Sequence, residues 1–196
     1  MMRFLTPALG SRALGNPPLL AQTLVRFLIG AYSGGNRCHY ESPGGGLSLD
    51  REFPRFAGSW KHSLDQKGRL VVPSRVRERL GSIFVLTAPP FVPCLVLYPL
   101  VTWRAIGEQL AREPLKDDEY WEVVRDWTRH ADDEVACDVQ GRLSIPTTYR
   151  NKAGLERDVE IVGAQTRVEL WDPQRLEAAR PDADTAKRVA ARLSLL

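Results

Sequence analysis

The sequence has few cysteines, few histidines and no long apolar run, and each scarcity excludes a class of protein. Its three cysteines lie far apart without a C-x-x-C pair, which is typical of reduced thiols and not of a disulfide framework. The three histidines are equally scattered, so no zinc-ligand spacing is present. The apolar stretch at residues 19–31 is interrupted by Gln22 and Arg26 and is too short to cross a bilayer as a helix. We therefore expect a cytoplasmic protein without a metal and without membrane association.

Acidic residues are missing from the first 40 positions, which hold four arginines. The remaining residues, 41–196, carry a net charge of −1, so the pI near 8.9 reflects the N-terminal segment and by itself says nothing about nucleic acid. Residues 1–54 are also rich in Gly, Pro and Ser. We interpret them as a disordered N-terminal extension whose removal leaves folding intact. Weak signal-peptide and transit-peptide features are the alternatives.

The sequence also lacks the groups that catalysis needs. Residues 56–180 contain no Gly-rich loop followed by Lys and Ser/Thr, the pattern that cradles phosphates. His62 and Ser63 are neighbours on a predicted strand and therefore point to opposite faces. The acidic runs at 117–119 and 132–134 are typical of solvated faces. We expect no enzyme, no catalytic residue, no cofactor and no small-molecule substrate.

An internal repeat organises the rest of the chain. Residues 65–77 (DQKGRLVVPSRVR) and 138–150 (DVQGRLSIPTTYR) share six of 13 positions at an offset of 73 residues. The same register relates Gly81 to Gly154. Two copies of one supersecondary unit therefore occupy residues 56 to about 180.

Local patterns predict the same elements in each copy. In the first copy we expect a strand at 59–64, a turn at 65–68, a strand at 69–73, a helix capped by Ser74 and ended by Gly81, and strands at 83–88 and 94–98. In the second copy we expect strands at 134–137, 142–146, 158–162 and 167–171 and a helix from Thr147 to Gly154. Asp172 and Pro173 predict an N-cap and the first position of a further helix.

Two further amphipathic segments flank the second copy. Residues 99–130 predict two helices broken near Pro114, and the second has one apolar face made of Tyr120, Val123, Val124 and Trp127. The tail from Asp184 places Ala186, Val189, Ala190 and Leu193 on one helical face. The expected role of both faces is ordinary packing.

The paired D-x-K-G-R-L-x-[VI]-P pattern, each copy followed by a short helix that contains arginine, resembles the MraZ family. Further matches are Phe56-x-Gly58, the LYP at 97–99 and the GAQTRVELWD at 163–172. The resemblance implies an α+β protein in which two SpoVT/AbrB-like swapped-hairpin repeats form a pseudo-twofold small β-barrel with flanking helices. It divides the chain into repeat 1 at 55–103, a helical connector at 104–131, repeat 2 at 132–178 and an amphipathic tail at 179–196.

The same resemblance implies a bacterial transcriptional regulator, generally a repressor, of the division and cell-wall gene cluster. Such proteins bind repeated promoter boxes in double-stranded DNA as ring-shaped homo-oligomers, which implies a nucleoid-associated location. Residues 61–80 carry a net charge of +4, which agrees with a DNA-contacting surface. The DNA-binding candidates are Lys67, Arg69, Arg75, Arg77, Arg142 and Arg150. The residues expected to orient the two turns are Asp65, Gly68, Asp138 and Gly141.

Three questions stay open at the level of sequence. The Asp–Arg pairs could orient an arginine toward DNA or could only stabilise turns. The second motif has Gln140 where the first has Lys67 and follows an acidic stretch, with a net charge of −6 over residues 112–139, which puts base reading by that loop in doubt. The alternative function is a protein-interaction adaptor, or an AbrB-like antitoxin, that acts through its acidic helix and tail.

Overall fold

A computed structural model describes residues 53–112 and 118–192, and within them the chain forms eight strands and six helices. The strands are β1 (Phe56–Ser63), β2 (Arg69–Val71), β3 (Phe84–Thr87), β4 (Leu95–Pro99), β5 (Ala131–Val135), β6 (Arg142–Ser144), β7 (Asp158–Gln165) and β8 (Arg167–Trp171). The helices are α1 (Ser74–Leu80), α2 (Leu100–Arg112), α3 (Asp118–Thr128), α4 (Thr147–Ala153), α5 (Pro173–Ala178) and α6 (Ala183–Arg192). The predictions for residues 1–52, for the break near Pro114 and for Leu193 lie outside the described residues.

The order strand–strand–helix–strand–strand occurs twice, as β1–β2–α1–β3–β4 and as β5–β6–α4–β7–β8, with α2 and α3 between the two copies. The structure is therefore of the α+β class, as the sequence predicted.

The two copies exchange their first strands. The larger sheet has the strand order β1-β7-β8-β4-β3-β5, and all of its pairings are antiparallel. The first strand of each copy thus pairs with the third strand of the other copy. Among the described residues β1 and β5 lie at the two ends of this order and do not pair with each other, so a closed barrel is not confirmed. The two ends also differ, because β5 is shorter than β1 and its register against β3 shifts between Phe84 and Leu86.

The smaller sheet, β2 with β6, marks the axis that relates the copies. Leu70 pairs with Leu143, its own counterpart 73 residues further along the chain, and both side chains are 0% exposed. A residue can pair with its own counterpart across antiparallel strands only where a local twofold axis passes between them. The internal repeat in the sequence therefore corresponds to a local twofold symmetry in the structure.

The central strands β3 and β4 of the larger sheet are buried on both faces. Leu95 and Leu97 of β4 belong to a core shared with β2, β6, α1 and α4, whereas the alternate residues Val96 and Tyr98 are buried on the opposite face. On that opposite face the Tyr98 ring lies 5.7 Å from Trp103 of α2 and 6.4 Å from Trp127 of α3, measured between centroids. The two connector helices therefore cover this face.

The predicted apolar face of α3 is confirmed, because Tyr120, Val124 and Trp127 are all buried. The corresponding prediction for the tail is not. Helix α6 buries none of its described residues, and Val189 is 43% exposed. Within the described part of the chain, the apolar face of this helix stays largely exposed.

Several boundaries follow local signals and others do not: β1 begins at Phe56 and not at 59, and β7 continues to Gln165 and not to 162. The Asp172 carboxylate accepts hydrogen bonds from the backbone N–H groups of Gln174 and Arg175, as an N-cap should. Ser74, by contrast, is the first residue of α1, and the capping position is taken by Pro73, which offers no side-chain acceptor. Strand β5 begins at Ala131, three residues before the expected start, because its exposed acidic residues pair on one side only, at a sheet edge that tolerates charge.

Candidate nucleic-acid interface

The first candidate loop, residues 65–69, is a turn closed by one carboxylate. Asp65 Oδ1 accepts hydrogen bonds from the backbone N–H of Lys67 at 2.8 Å and of Arg69 at 2.9 Å. The backbone closes the same turn, because Gly68 N–H donates to the Asp65 carbonyl and Asp65 N–H donates to the Arg69 carbonyl, both at 2.9 Å. Gly68 has φ of 72°, a conformation that glycine adopts without strain. The aspartate, by its position, therefore sets the path of the loop.

The second oxygen of Asp65 holds the arginine side chain. Oδ2 lies 2.7 Å from Arg69 Nε and 2.6 Å from Arg69 Nη2, so this one oxygen accepts from both nitrogens. The Arg69 side-chain hydrogen bonds, followed by the backbone N–H groups, lower the pKa of Asp65 to about 2. The Arg69 Nη1 group takes no part in this pair and the side chain is 28% exposed. The guanidinium is thus held by the carboxylate while part of the side chain stays exposed.

The second loop, residues 138–142, repeats this geometry. Asp138 Oδ1 accepts from the N–H groups of Gln140 and Arg142, each at 2.9 Å, and Oδ2 binds Arg142 Nε at 2.8 Å and Nη2 at 2.7 Å. The hydrogen bonds from Arg142 again lower the pKa of the carboxyl group. The repeat motif therefore builds two pre-oriented arginines, one from each copy.

The helix arginines lie across the local axis, each over the loop of the other copy. Arg150 of α4 donates from Nε to the Ile145 carbonyl at 3.1 Å and from Nη2 to Thr147 Oγ1 at 2.9 Å. A Cβ added to Gly68, in the first loop, would lie 3.0 Å from the Arg150 guanidinium carbon. Arg77 of α1 donates from Nε to the Val72 carbonyl at 3.0 Å and lies in the same way over Gly141, in the second loop.

Sequence reasoning identified these arginines but not where they lie. The repeat places Arg77 after the first loop and Arg150 after the second, so sequence order alone associates each with the loop of its own copy. The association is reversed because β2 and β6 cross at the local axis. The one sequence feature that points to this arrangement is the glycine in each motif. It permits the turn, and its missing side chain also leaves space for the arginine of the other copy.

The surroundings of the two loops differ in charge. Lys67 is exposed in the first loop, where the second has Gln140. Arg75 is exposed on α1, and the residue 73 positions later, on α4, is Thr148. Three exposed acids, Asp132, Asp133 and Glu134, lie on β5, the strand that leads to the second loop. The strongly basic loop is therefore the first.

Among residues 53–112 and 118–192, no helix has both the length and the apolar character that crossing a membrane requires.

Comparison with known proteins gives one consistent result. A family model described as "MraZ protein, putative antitoxin-like" matches residues 55–126 and 129–191. A protein named "Transcriptional regulator MraZ" from Acetivibrio thermocellus is 39% identical over 142 residues, which cover 72% of this chain and 98% of that protein. Two further proteins of the same name are also similar. The one from Clostridium tetani is 33% identical over 72% of this chain and 98% of that protein. The one from Pediococcus pentosaceus is 40% identical over 62% of this chain and 84% of that protein. With its duplicated motif and the two loops that this motif builds, the chain belongs to the MraZ family.

Proposed function

We propose that this protein is a transcriptional regulator that binds double-stranded DNA in a sequence-specific manner through the loops at 65–69 and 138–142. The observation that supports this most directly is the Asp65–Arg69 ion pair, which holds a partly exposed guanidinium in the same loop as an exposed lysine. Arginine can bind guanine or phosphate through two parallel hydrogen bonds, and a pre-oriented side chain loses less entropy on binding. The names of the similar proteins support the same role, and regulators of transcription are not enzymes.

The finer parts of the proposal come from the family resemblance. The protein acts as a repressor of the division and cell-wall gene cluster, binds repeated promoter boxes as a ring-shaped homo-oligomer, and is associated with the nucleoid in the cytoplasm. In this proposal the exchanged strands correspond to the swapped hairpins of a small barrel. A ring presents many copies of one loop, so weak contacts on repeated boxes add up through avidity.

The contacts divide into two kinds. In this proposal Arg69 and Arg142 contact base edges, whereas Lys67, Arg75 and the helix arginines Arg77 and Arg150 supply positive charge for the phosphate backbone. Phosphate contacts release counterions, so the affinity should fall steeply with salt. Base contacts should instead set the preference for one sequence.

A gel-shift titration of the full chain tests the proposal. The probes are the DNA upstream of the division cluster in the source genome and a scrambled duplex of equal length, each at two salt concentrations. We expect a selective, salt-sensitive shift that Arg69→Ala abolishes. Arg180→Ala, which removes the same charge from an exposed residue outside both loops, is the matched control and should leave the shift unchanged. Equal binding to both probes by an assembled protein would contradict the proposal.

A second candidate function is supported by α6. No described residue of this helix is buried, which suits a protein-interaction adaptor or an antitoxin that binds a protein partner. Retention on heparin or bulk DNA distinguishes the two functions. A DNA-binding regulator elutes at high salt, whereas an acidic adaptor is not retained.

A further inference from the structure

The contacts around the local axis bring each loop together with a helix of the other copy. Ile145 N–H, just before α4, donates to the Gly68 carbonyl at 3.0 Å, and Val72 N–H, just before α1, donates to the Gly141 carbonyl at 3.0 Å. Each loop is therefore joined by a backbone hydrogen bond to the segment that leads into the opposite helix. The two halves of the interface are therefore connected through the backbone on both sides of the local axis.

The side chains confirm the same pairing. The Nε, Cζ and Nη2 atoms of Arg150 lie 3.0 to 3.1 Å from the position that a Cβ on Gly68 would take. The Nε and Cζ atoms of Arg77 lie 2.7 and 2.6 Å from the corresponding position on Gly141. A guanidinium plane thus covers the glycine of each turn, in the space that any other residue would fill.

We propose that each DNA-contacting unit is a composite of both repeats, in which Arg150 acts together with Arg69 and Arg77 acts together with Arg142. This inference rests on the proposed function and specifies the groups that act together. Gly68 directly precedes Arg69, so Arg150 lies over the backbone of the same turn that carries the pre-oriented Arg69 side chain. Two arginines held on one turn can bind neighbouring groups of one DNA site, such as a phosphate and the adjacent base edge.

The composite units differ in charge. The first unit combines Lys67, Arg69 and Arg150 with one carboxylate, Asp65. The second combines Arg142 and Arg77 with Asp138 and has Gln140 in place of the lysine. The first unit therefore holds one more positive charge, and we expect it to bind the DNA backbone more tightly.

The pairing is tested by double-mutant cycles on DNA affinity in the full-length protein. The four variants are Arg69→Gln, Arg77→Gln, Arg142→Gln and Arg150→Gln, with Arg→Lys versions that keep the charge, and each is checked for assembly and melting temperature. Because residues that share a contact are coupled and independent ones are additive, the four arginines give two cross-repeat pairs and two matched within-repeat pairs.

The expected result distinguishes the pairs clearly. Arg69→Gln and Arg150→Gln each weaken specific binding about tenfold, since one good bidentate contact accounts for a change of that order. The Arg69/Arg150 double variant is then no more than about twofold weaker than either single variant, because the unit is already broken. Breaking the second, less basic unit through Arg77→Gln or Arg142→Gln weakens binding about fivefold, so the Arg69/Arg77 double variant, which breaks both units, is weakened about fiftyfold. In the Arg142 cycles, Arg77 is the coupled partner and Arg150 is the additive one.

Coupling within each repeat, with additive effects across the repeats, would overturn the composite unit and leave the proposed function intact. Additive effects in all four cycles would do the same. A wild-type protein that binds no DNA selectively would overturn the proposed function itself, and this inference with it. Loss of affinity in the Arg→Gln variants that the Arg→Lys variants fully restore would assign these arginines to phosphate contacts within the composite unit. An Arg69→Lys variant that stays weak would assign Arg69 to a base edge in the same unit.

Discussion

Around Asp65 and around Asp138 the chain makes the same set of hydrogen bonds, and corresponding distances agree to within 0.1 Å. The charge that surrounds these two loops is different. The first has an exposed lysine and lies in a basic stretch, whereas the second has a glutamine and follows three exposed acids. The comparison teaches that the shared Asp, Gly and Arg of the motif specify the loop geometry, whereas the variable position between Asp and Gly and the residues that flank the motif set the charge around each loop.

The largest expected effect separates the two loops directly. Arg69→Ala should weaken specific DNA binding by about 2 kcal/mol, roughly thirtyfold, because it removes the oriented guanidinium from the more basic loop. Arg142→Ala should weaken binding only about fivefold. Gel-shift titrations of both variants measure the difference. Equal losses would show that the two loops contribute alike, and a larger loss for Arg142→Ala would reverse the comparison.

A smaller effect concerns stability and the space over each glycine. Gly141→Ala and Gly68→Ala should each lower the free energy of unfolding by about 1–2 kcal/mol, because both positions have positive φ. Gly141→Ala should be the more harmful, since its Cβ would lie closer to Arg77 than that of Gly68 lies to Arg150. Urea denaturation checks this, with Gly107→Ala as the control because a Cβ there meets no atom within 4 Å. A larger loss of unfolding free energy in Gly68→Ala than in Gly141→Ala would mean that the Arg77 side chain moves aside more easily than that of Arg150.

Placing a lysine at position 140, which corresponds to Lys67, should reduce the difference in DNA affinity between the two loops. Gln140→Lys should strengthen DNA binding about threefold and make the salt dependence steeper by about 0.9 in the slope of log affinity against log salt, the value for one additional phosphate contact. Affinity measured at four salt concentrations gives that slope. An unchanged slope would show that the second loop does not lie against the DNA backbone.

The smallest effect is common to both loops and appears only in acid. The pKa of Asp65 is about 2 in the folded protein, below the ordinary value of 3.8, and the pKa of Asp138 is lowered by the same kind of contact. A lowered pKa means that the carboxylates stabilise the fold fully above pH 3.8 and lose that contribution as the pH falls toward 2. Carboxyl NMR titration should show Asp65 still ionised at pH 3. In the Arg69→Ala variant its midpoint should move up, and an unmoved midpoint would contradict the role of the ion pair.

Much of this architecture can be predicted from the sequence because it depends on contacts between residues that are close in the chain. Strand β8, at 167–171, lies where alternation and β-forming residues predicted it, and Asp172 caps the next helix through its own backbone neighbours. The turns at 65–68 and 138–141 likewise follow from an aspartate and a glycine at fixed spacing.

The features that sequence reasoning missed depend on distant contacts. Nothing near Arg150 indicates that its guanidinium lies over Gly68, because the contact arises only when β2 and β6 meet at Leu70 and Leu143. The early start of β5 also depends on its partner strand β3 and not on its own acidic sequence. The packing of an amphipathic face is equally non-local, which is why the same pattern is buried in α3 and exposed in α6.

The exchange of first strands has a consequence for how the chain folds as it leaves the ribosome. Ser59 of β1 bonds Glu160 of β7, 101 residues later. At about 5–20 residues per second, β1 waits roughly 5–20 s for its partner to be synthesised. Throughout that interval the first half of the nascent chain has no complete sheet to join, so it cannot finish folding by itself. Nascent-chain protease protection should therefore appear late and in one step, after β7 has emerged, and not in two steps that follow the two repeats.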